Sequence, residues 1–360
     1  MKLMNEKKTY LFVGSYAKPE GPGVYLYRWN EEELALEPPL AEADGLRNPT
    51  FLNVDPEGGK LYAISEGVNE AGGKSGTAVS YRFDAGEGTL ERIGEAPTTD
   101  GPTCHIERSP DGRRLIVVSY HGGMAGLMEL EEDGTIGRRL DQPQHEGSSV
   151  DPERQDRPHP HSTRFSPDGR WAFVQDLGLD LIRTYRLEDD RMVPVRDNRI
   201  HPGAGPRHLA FHPEGRFAYV INEVDSTVSV LGYEPETGEL AELGHVPTLP
   251  DGWQGDNTCA EVAVSADGRF VYGSNRGHDS LVVFAARNGG RMLEPIQHIS
   301  VEGRHPRHFA LLPGGRWLLA ANKDTDGISI FSVDAESGKL AYTGKKHAVS
   351  QPVCIQPFQA

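Results

Sequence analysis

A short apolar run, a Pro-Asp-Gly-Arg turn or a near copy of it, and a second apolar run ending in a polar residue recur six times along the 360 residues. The copies read DPEGGKLYAIS around Gly58, SPDGRRLIVVS around Gly112 and SPDGRWAFVQD around Gly169, then HPEGRFAYVIN around Gly215, SADGRFVYGSN around Gly268 and LPGGRWLLAAN around Gly315. The intervals between these glycines are 54, 57, 46, 53 and 47 residues. Each interval is the span of one four-stranded propeller blade with loop insertions. Within each turn, proline presets φ, aspartate bonds its own backbone and glycine supplies φ > 0. The run after the turn, LIVV at 115–118 for example, is apolar on both faces, as a strand between two neighbouring blades must be.

A second hairpin follows each copy, its first strand alternating as in STVSVLGY, with turns such as EPETGEL at 234–240 and DAESGKL at 334–340. DAGEGTL at 84–90 and EEDGTI at 131–136 are further versions, and looser ones lie near Asn30, Asp190 and Gly289, which makes seven second hairpins against six first ones. The chain ends resolve the mismatch. TYLFVGSYA at 9–17 reads as the strand after a first-hairpin turn, and QPVCIQPF at 351–358, which resembles GPTCHIERSP at 101–110, supplies the strand before it. The expectation is an all-β, seven-bladed propeller of four-stranded antiparallel blades, closed by pairing the N- and C-terminal strands in one blade. It forms one domain over residues 1–360, with 1–8 as a flexible N-terminal segment and no helix longer than a turn or two. An open solenoid or two separate sheets would leave edges that this closure removes.

Composition narrows the function. A formal charge of −16 argues against a nucleic-acid partner, which needs a basic face. Residues 1–9 carry charge throughout and hold no apolar leader core, and no stretch approaches membrane-spanning length. Cys104, Cys259 and Cys354 form neither a CxxC nor a disulfide framework, so the cytoplasm is the expected compartment.

In such a ring the first strand of each hairpin leaves one face and the second returns to it. Residues before the first and after the second therefore gather at one rim of the central channel. Eight positions before each turn glycine stand Thr50, Cys104, His161, Arg207, Ala260 and Arg307. The next position gives Phe51, His105, Ser162, His208, Glu261 and His308; eight after the glycine come Glu66, Tyr120, Leu177, Glu223, Arg276 and Lys323. Singly, each has an ordinary explanation. Arg207 and Arg307 could pair with carboxylates such as Glu66 and Glu223, the histidines could bond backbone carbonyls in a core, and Tyr120 could simply pack. Convergence of these types from independent blades is what points to a site.

His159 and His161, in PHPHS, could share a face and bind zinc, but Pro160 and the lack of a clear third ligand weigh against it, and no metal or cofactor is expected. GGKSG at 72–76 lacks the spacing and following helix of a phosphate loop and reads as a turn. No G-x-S-x-G or S-x-x-K nucleophile is present, and Cys104 reads as a buried small hydrophobe.

With these segments laid out, NPTFLNVDPEG, PERQDRPHPHSTRFSPDGR, GPRHLAFHPEGRFAYVINE, SADGRFVYGSNRGHDSL and HPRHFALLPGGRWLLAANKD resemble the lactonase family of seven-bladed propellers, which includes bacterial 6-phosphogluconolactonases. The fungal carboxy-muconate lactonizing enzymes are more distant relatives. Carried over by motif, their one histidine, two arginines and one glutamate imply His161, Arg207, Glu223 and Arg276 as catalytic. Ser65 and Ser119 depart from the family by standing where asparagine is common. The resemblance implies cofactor-free hydrolysis of 6-phospho-glucono-1,5-lactone, a small anionic substrate, by metal-independent water attack. His161 or Glu223 would be the base and an arginine the oxyanion partner; His105, His159, His208, Asn275, His278, Arg307 and His308 are the expected substrate contacts. A cyclising enzyme acting on a dicarboxylate and a non-catalytic binding propeller are the alternatives.

Overall fold

A computed structural model describes residues 7–69 and 72–360; the first six residues of the proposed flexible segment lie outside the described residues. Seven antiparallel sheets follow one another in the chain. Blade 1 is built from both chain ends, and blades 2 to 7 span 52–97, 105–141, 160–199, 206–247, 258–300 and 306–348. In blade 1, Thr9–Ser15 pairs on one side with Val24–Asn30 and on the other with Pro352–Gln359, from Thr9 opposite Gln359 to Gly14 opposite Cys354. Lys8 extends this pairing through two backbone bonds to Ala360, of 3.0 and 3.1 Å. The closure read from the complementary termini is therefore present. The helical content among the described residues is two single 3-10 turns, Leu177–Leu179 and Lys323–Thr325, and no helix there is long and apolar enough to cross a membrane.

The repeated turn folds as its residues dictate. In blade 3 the Asp111 carboxylate accepts from the Ser109 hydroxyl at 2.6 Å and the Arg113 amide at 3.1 Å, while Gly112 takes φ 72°. Gly169, Gly215, Gly268 and Gly315 repeat this conformation, but in blade 2 the left-handed residue is Gly59 rather than Gly58.

Each blade-to-blade seam among the described residues is filled by its own apolar cluster. Phe12 and Leu26 of blade 1 meet Leu61, Val79 and Tyr81 of blade 2, and the pattern continues around to blade 7 packing on blade 1. Full burial of each such side chain contributes about 1.5–3 kcal/mol. The doubly apolar second strands lie between these clusters, which is why their sequence does not alternate.

Candidate functional site

At the rim where the inner hairpins begin and end, a cavity of about 320 Å³ opens. Thr50, Cys104, His161 and Arg307 reach it from around the starts of the first strands, and Glu66, Tyr120 and Glu223 from around the ends of the second. These are the two register positions singled out in the sequence. Tyr16, His121 and Arg154 complete its chemically active lining.

Glu223 is the electrostatic centre. Its carboxylate meets Arg207 Nε at 2.9 Å, Arg276 Nη2 at 2.7 Å and the Arg154 guanidinium. Burial alone would raise the Glu223 pKa, but Arg276, Arg207 and Arg154 together hold it well below the usual carboxylate range. Such an anion is a poor proton acceptor at neutral pH. Arg207 and Arg276 do not line the cavity; they stand behind Glu223. Arg207, only 2% exposed, also donates to the Ala260 carbonyl at 2.7 Å, and Arg276 donates to the Cys259 carbonyl at 2.5 Å. Burial, with Arg276 and Arg307 nearby, pushes Arg207 down to about 9, which still leaves it cationic at neutral pH.

His161 is differently placed. Its Nε2 lies 3.9 Å from Glu223 Oε2, too far for a hydrogen bond, and its Nδ1 has no partner among the described residues. Burial, then the charges of Arg207, His208, Arg307 and Arg276, drives its pKa well below the histidine norm. A neutral imidazole free of committed hydrogen bonds thus borders the cavity. Cys104 beside it is no thiolate: burial pushes its thiol up to about 11, and Sγ rests 3.2 Å from the His161 carbonyl.

Arg154 is a cavity-lining residue that repeat-based reasoning missed. It sits on the loop 142–159 joining blades 3 and 4, outside the blade pattern. Two sequence signals point to its loop, the 57-residue turn interval, the longest of the five, and its place in the PERQDRPHPHS segment that carries the family resemblance. The loop is nonetheless fixed. Asp151 accepts from the amides of Glu153 and Arg154 at 2.9 and 3.0 Å, and buried Gln155 bonds Asp180 at 2.6 Å and the Leu177 carbonyl at 2.9 Å. His145 is clamped between Asp176 at 2.6 Å and the Tyr185 hydroxyl at 2.7 Å. Gly178 lets the loop approach: a Cβ there would fall 1.9 Å from the Arg157 carbonyl oxygen. A cation on a loop is thereby held almost as firmly as one on a strand.

One residue further along the inner strands, Phe51, His105, His208 and His308 meet across the ring. Phe51 of blade 2 touches His105 at 3.9 Å between ring centroids, and His208 and His308 of blades 5 and 7 at 5.8 and 5.9 Å. Glu261 of blade 6 accepts from His208 Nδ1 at 2.9 Å and lies 3.2 Å from His308 Nε2. These rings plug the channel under the cavity instead of lining it. Burial drives His105 and His208 well below the ordinary pKa and His308 down to about 4, although Glu261 opposes the shift at His308. A histidine whose folded pKa is depressed binds its proton more readily when unfolded, so stability falls as pH drops below the ordinary value of about 6.5. The urea midpoint is therefore expected to decline steadily from pH 7.5 to 5, with proton uptake on unfolding. A flat midpoint over that range would contradict the neutral plug.

The remaining expected contacts also lie off the cavity wall. His159 stacks on Tyr120 at 4.2 Å and bonds its carbonyl at 2.9 Å, so it buttresses a lining residue. Asn275 ties its strand to the loop after Pro247 through Thr248, at 2.7 and 2.9 Å, and His278 bonds Ser280 at 2.6 Å within its turn. His159 and His161 do not converge: one faces Tyr120 and Asp156, the other Glu223. Among the described residues a trio of metal-capable side chains does come together elsewhere, His201, Glu242 and His245, but His201 already spans Glu242 and Asp225 with its two ring nitrogens.

A closed seven-bladed ring with a carboxylate–arginine cluster and a free imidazole at its mouth defines a class. Residues 10–357 match the family described as "Lactonase, 7-bladed beta-propeller". The 6-phosphogluconolactonase of Bacillus subtilis (strain 168) is 34% identical over 346 residues, 96% of this chain and 97% of that one. The solved structure of the Pseudomonas aeruginosa periplasmic gluconolactonase PpgL superposes with a TM-score of 0.90 at 33% identity, covering 97% of this chain and 99% of the other. The chain belongs to the lactonase family of seven-bladed β-propellers. It is a hydrolase of cyclic carboxylic esters.

Proposed function

We infer that the chain opens a sugar lactone, 6-phospho-glucono-1,5-lactone, to 6-phosphogluconate, the hydrolytic step of the oxidative pentose phosphate pathway, in the cytoplasm. The observation that carries this reading is the neutral, uncommitted His161 imidazole sharing one cavity with the Arg154–Glu223 pair. His161 removes a proton from water as the water oxygen attacks the lactone carbonyl carbon. Arg154, the cavity-facing guanidinium of the cluster, stabilises the oxyanion of the tetrahedral intermediate. The intermediate collapses with cleavage of the bond to the ring oxygen, which takes the proton back from His161. The new carboxylic acid then ionises to solvent. Glu223 is an organiser: one carboxylate fixes three arginines and keeps Arg154 aimed.

The names of the Bacillus and Pseudomonas relatives support a sugar lactone as substrate. Proton release at pH 7, followed with 6-phospho-glucono-1,5-lactone and with glucono-1,5-lactone, tests it. The expected result is opening far above the spontaneous rate on at least one of them. Rates equal to the buffer blank on both would remove the proposal.

A further inference from the structure

Blades 5 and 7 carry the same Pro-Arg-His tripeptide at the rim, and in each the residue 16 positions after the arginine stands where the second strand returns. In blade 5 the pair is Arg207 and Glu223, an arginine with its counter-ion at 2.9 Å. In blade 7 the pair is Arg307 and Lys323. The fold thus repeats a cation–anion site with the anion replaced by a second cation.

The geometry leaves that charge uncompensated. Arg307 lines the cavity half-buried and has no carboxylate within ion-pairing distance among the described residues. Its guanidinium lies 6.0 Å from the centre of the Tyr16 ring, and Lys323 Nζ lies 5.3 Å from the same centre. Lys323 contacts Asp324 at 3.0 Å, an exposed neighbour pair of little strength. Glu66, the other carboxylate of the cavity, is bonded to Asn48 at 2.8 Å. The remaining arginines of the site are gathered on Glu223. Two cations placed on one aromatic ring at the edge of a reaction cavity, Arg307 with no carboxylate partner among the described residues, call for an external anion.

We propose that Arg307 and Lys323, with Tyr16 beneath them, form a phosphate-monoester subsite that holds the far end of the substrate while its lactone carbonyl faces His161. A phosphate monoester carries about −1.5 to −2 charge at neutral pH and presents three acceptor oxygens, which matches two cations better than a single carboxylate does. The guanidinium fork takes two oxygens and the ammonium acts as a point charge. The assignment rests on the lactonase reading above. It adds the chemistry that separates a phosphorylated sugar lactone from its unphosphorylated counterpart.

The test compares kcat/KM for 6-phospho-glucono-1,5-lactone and glucono-1,5-lactone in the unsubstituted protein and in Arg307→Gln, Lys323→Gln and Arg307→Lys, with thermal unfolding as the check on folding. Arg307→Gln is expected to reduce the preference for the phosphorylated lactone about tenfold or more, through KM, because a charge-assisted contact is lost. Lys323→Gln should reduce it less, and Arg307→Lys should restore part of it. An unchanged preference in both glutamine variants, or an equal loss on both lactones, would overturn the subsite. If the unsubstituted protein opens neither lactone, the hydrolytic reading fails separately and the subsite is judged by calorimetric titration with inorganic phosphate. Weaker phosphate binding in Arg307→Gln than in the unsubstituted protein supports it; equal or undetectable binding in both overturns it.

Discussion

Replacing His161 by asparagine is expected to lower kcat for lactone opening by about 10²- to 10⁴-fold while leaving the thermal unfolding temperature nearly unchanged. Asparagine fits the space and remains polar, but it has no basic nitrogen. The pH profile gives a second, independent reading. The His161 pKa is depressed by burial and by the surrounding arginines, so the imidazole stays neutral through pH 6.5 and below. A base acts in its deprotonated form, so kcat/KM should remain level as pH falls past the ordinary histidine value, and its acid limb should appear only further down. A limb centred on the ordinary value, or a near-normal rate in His161→Asn, would place the base elsewhere.

The second large effect is on stability. Glu223→Gln removes the one carboxylate that Arg154, Arg207 and Arg276 share, leaving buried guanidinium groups to repel one another. Removing one partner of a buried ion pair costs about 3–5 kcal/mol, and the near-complete burial of Arg207 argues for the upper part of that range. Urea unfolding at pH 7 measures it. Adding Arg207→Met to Glu223→Gln should return part of the loss, because the surplus buried charge goes with the arginine. Activity should not return with it, since Arg154 has lost its anchor. If Glu223→Gln proved as stable as the unsubstituted protein, the cluster would not be charge-governed. The pH window, not the sign, separates Glu223 from the histidines, since both lose stability as pH falls. Its folded pKa is depressed, so its contribution is whole above the ordinary carboxylate value and is lost only as pH falls through the lower folded one. Acid sensitivity between pH 7.5 and 5 belongs to the buried neutral histidines, those of the plug together with His161.

The ring, its closure and the rim register were legible because each follows from local rules repeated six times. Turn chemistry located the hairpins, doubly apolar strands showed that blades flank one another, and counting from the turn glycine found Thr50, Cys104, His161, Arg307, Glu66, Tyr120 and Glu223. Two things were not legible. Consecutive residues on an inner strand differ in fate, one facing the opening and the next meeting its counterparts across the ring, and only the ring itself separates them. His105, His208 and His308 therefore read as substrate contacts although they plug the channel. Arg154 has no equivalent in other blades, so repetition could not reveal it. Its position is set by tertiary contacts of Gln155 and His145 that no spacing encodes.

The pairing of Thr9–Ser15 with Pro352–Gln359 sets an order on the protein's birth. Among the seven innermost strands, the one that serves the first blade is made after the other six, so the earliest-made sheet waits for residues 352–359 before its inner edge is covered. Contacts this distant along a chain are slow to form. A nascent chain stalled before residue 352 should present the strand Thr9–Ser15 as an open docking edge, available to chaperones or to a neighbouring copy until residues 352–359 are made.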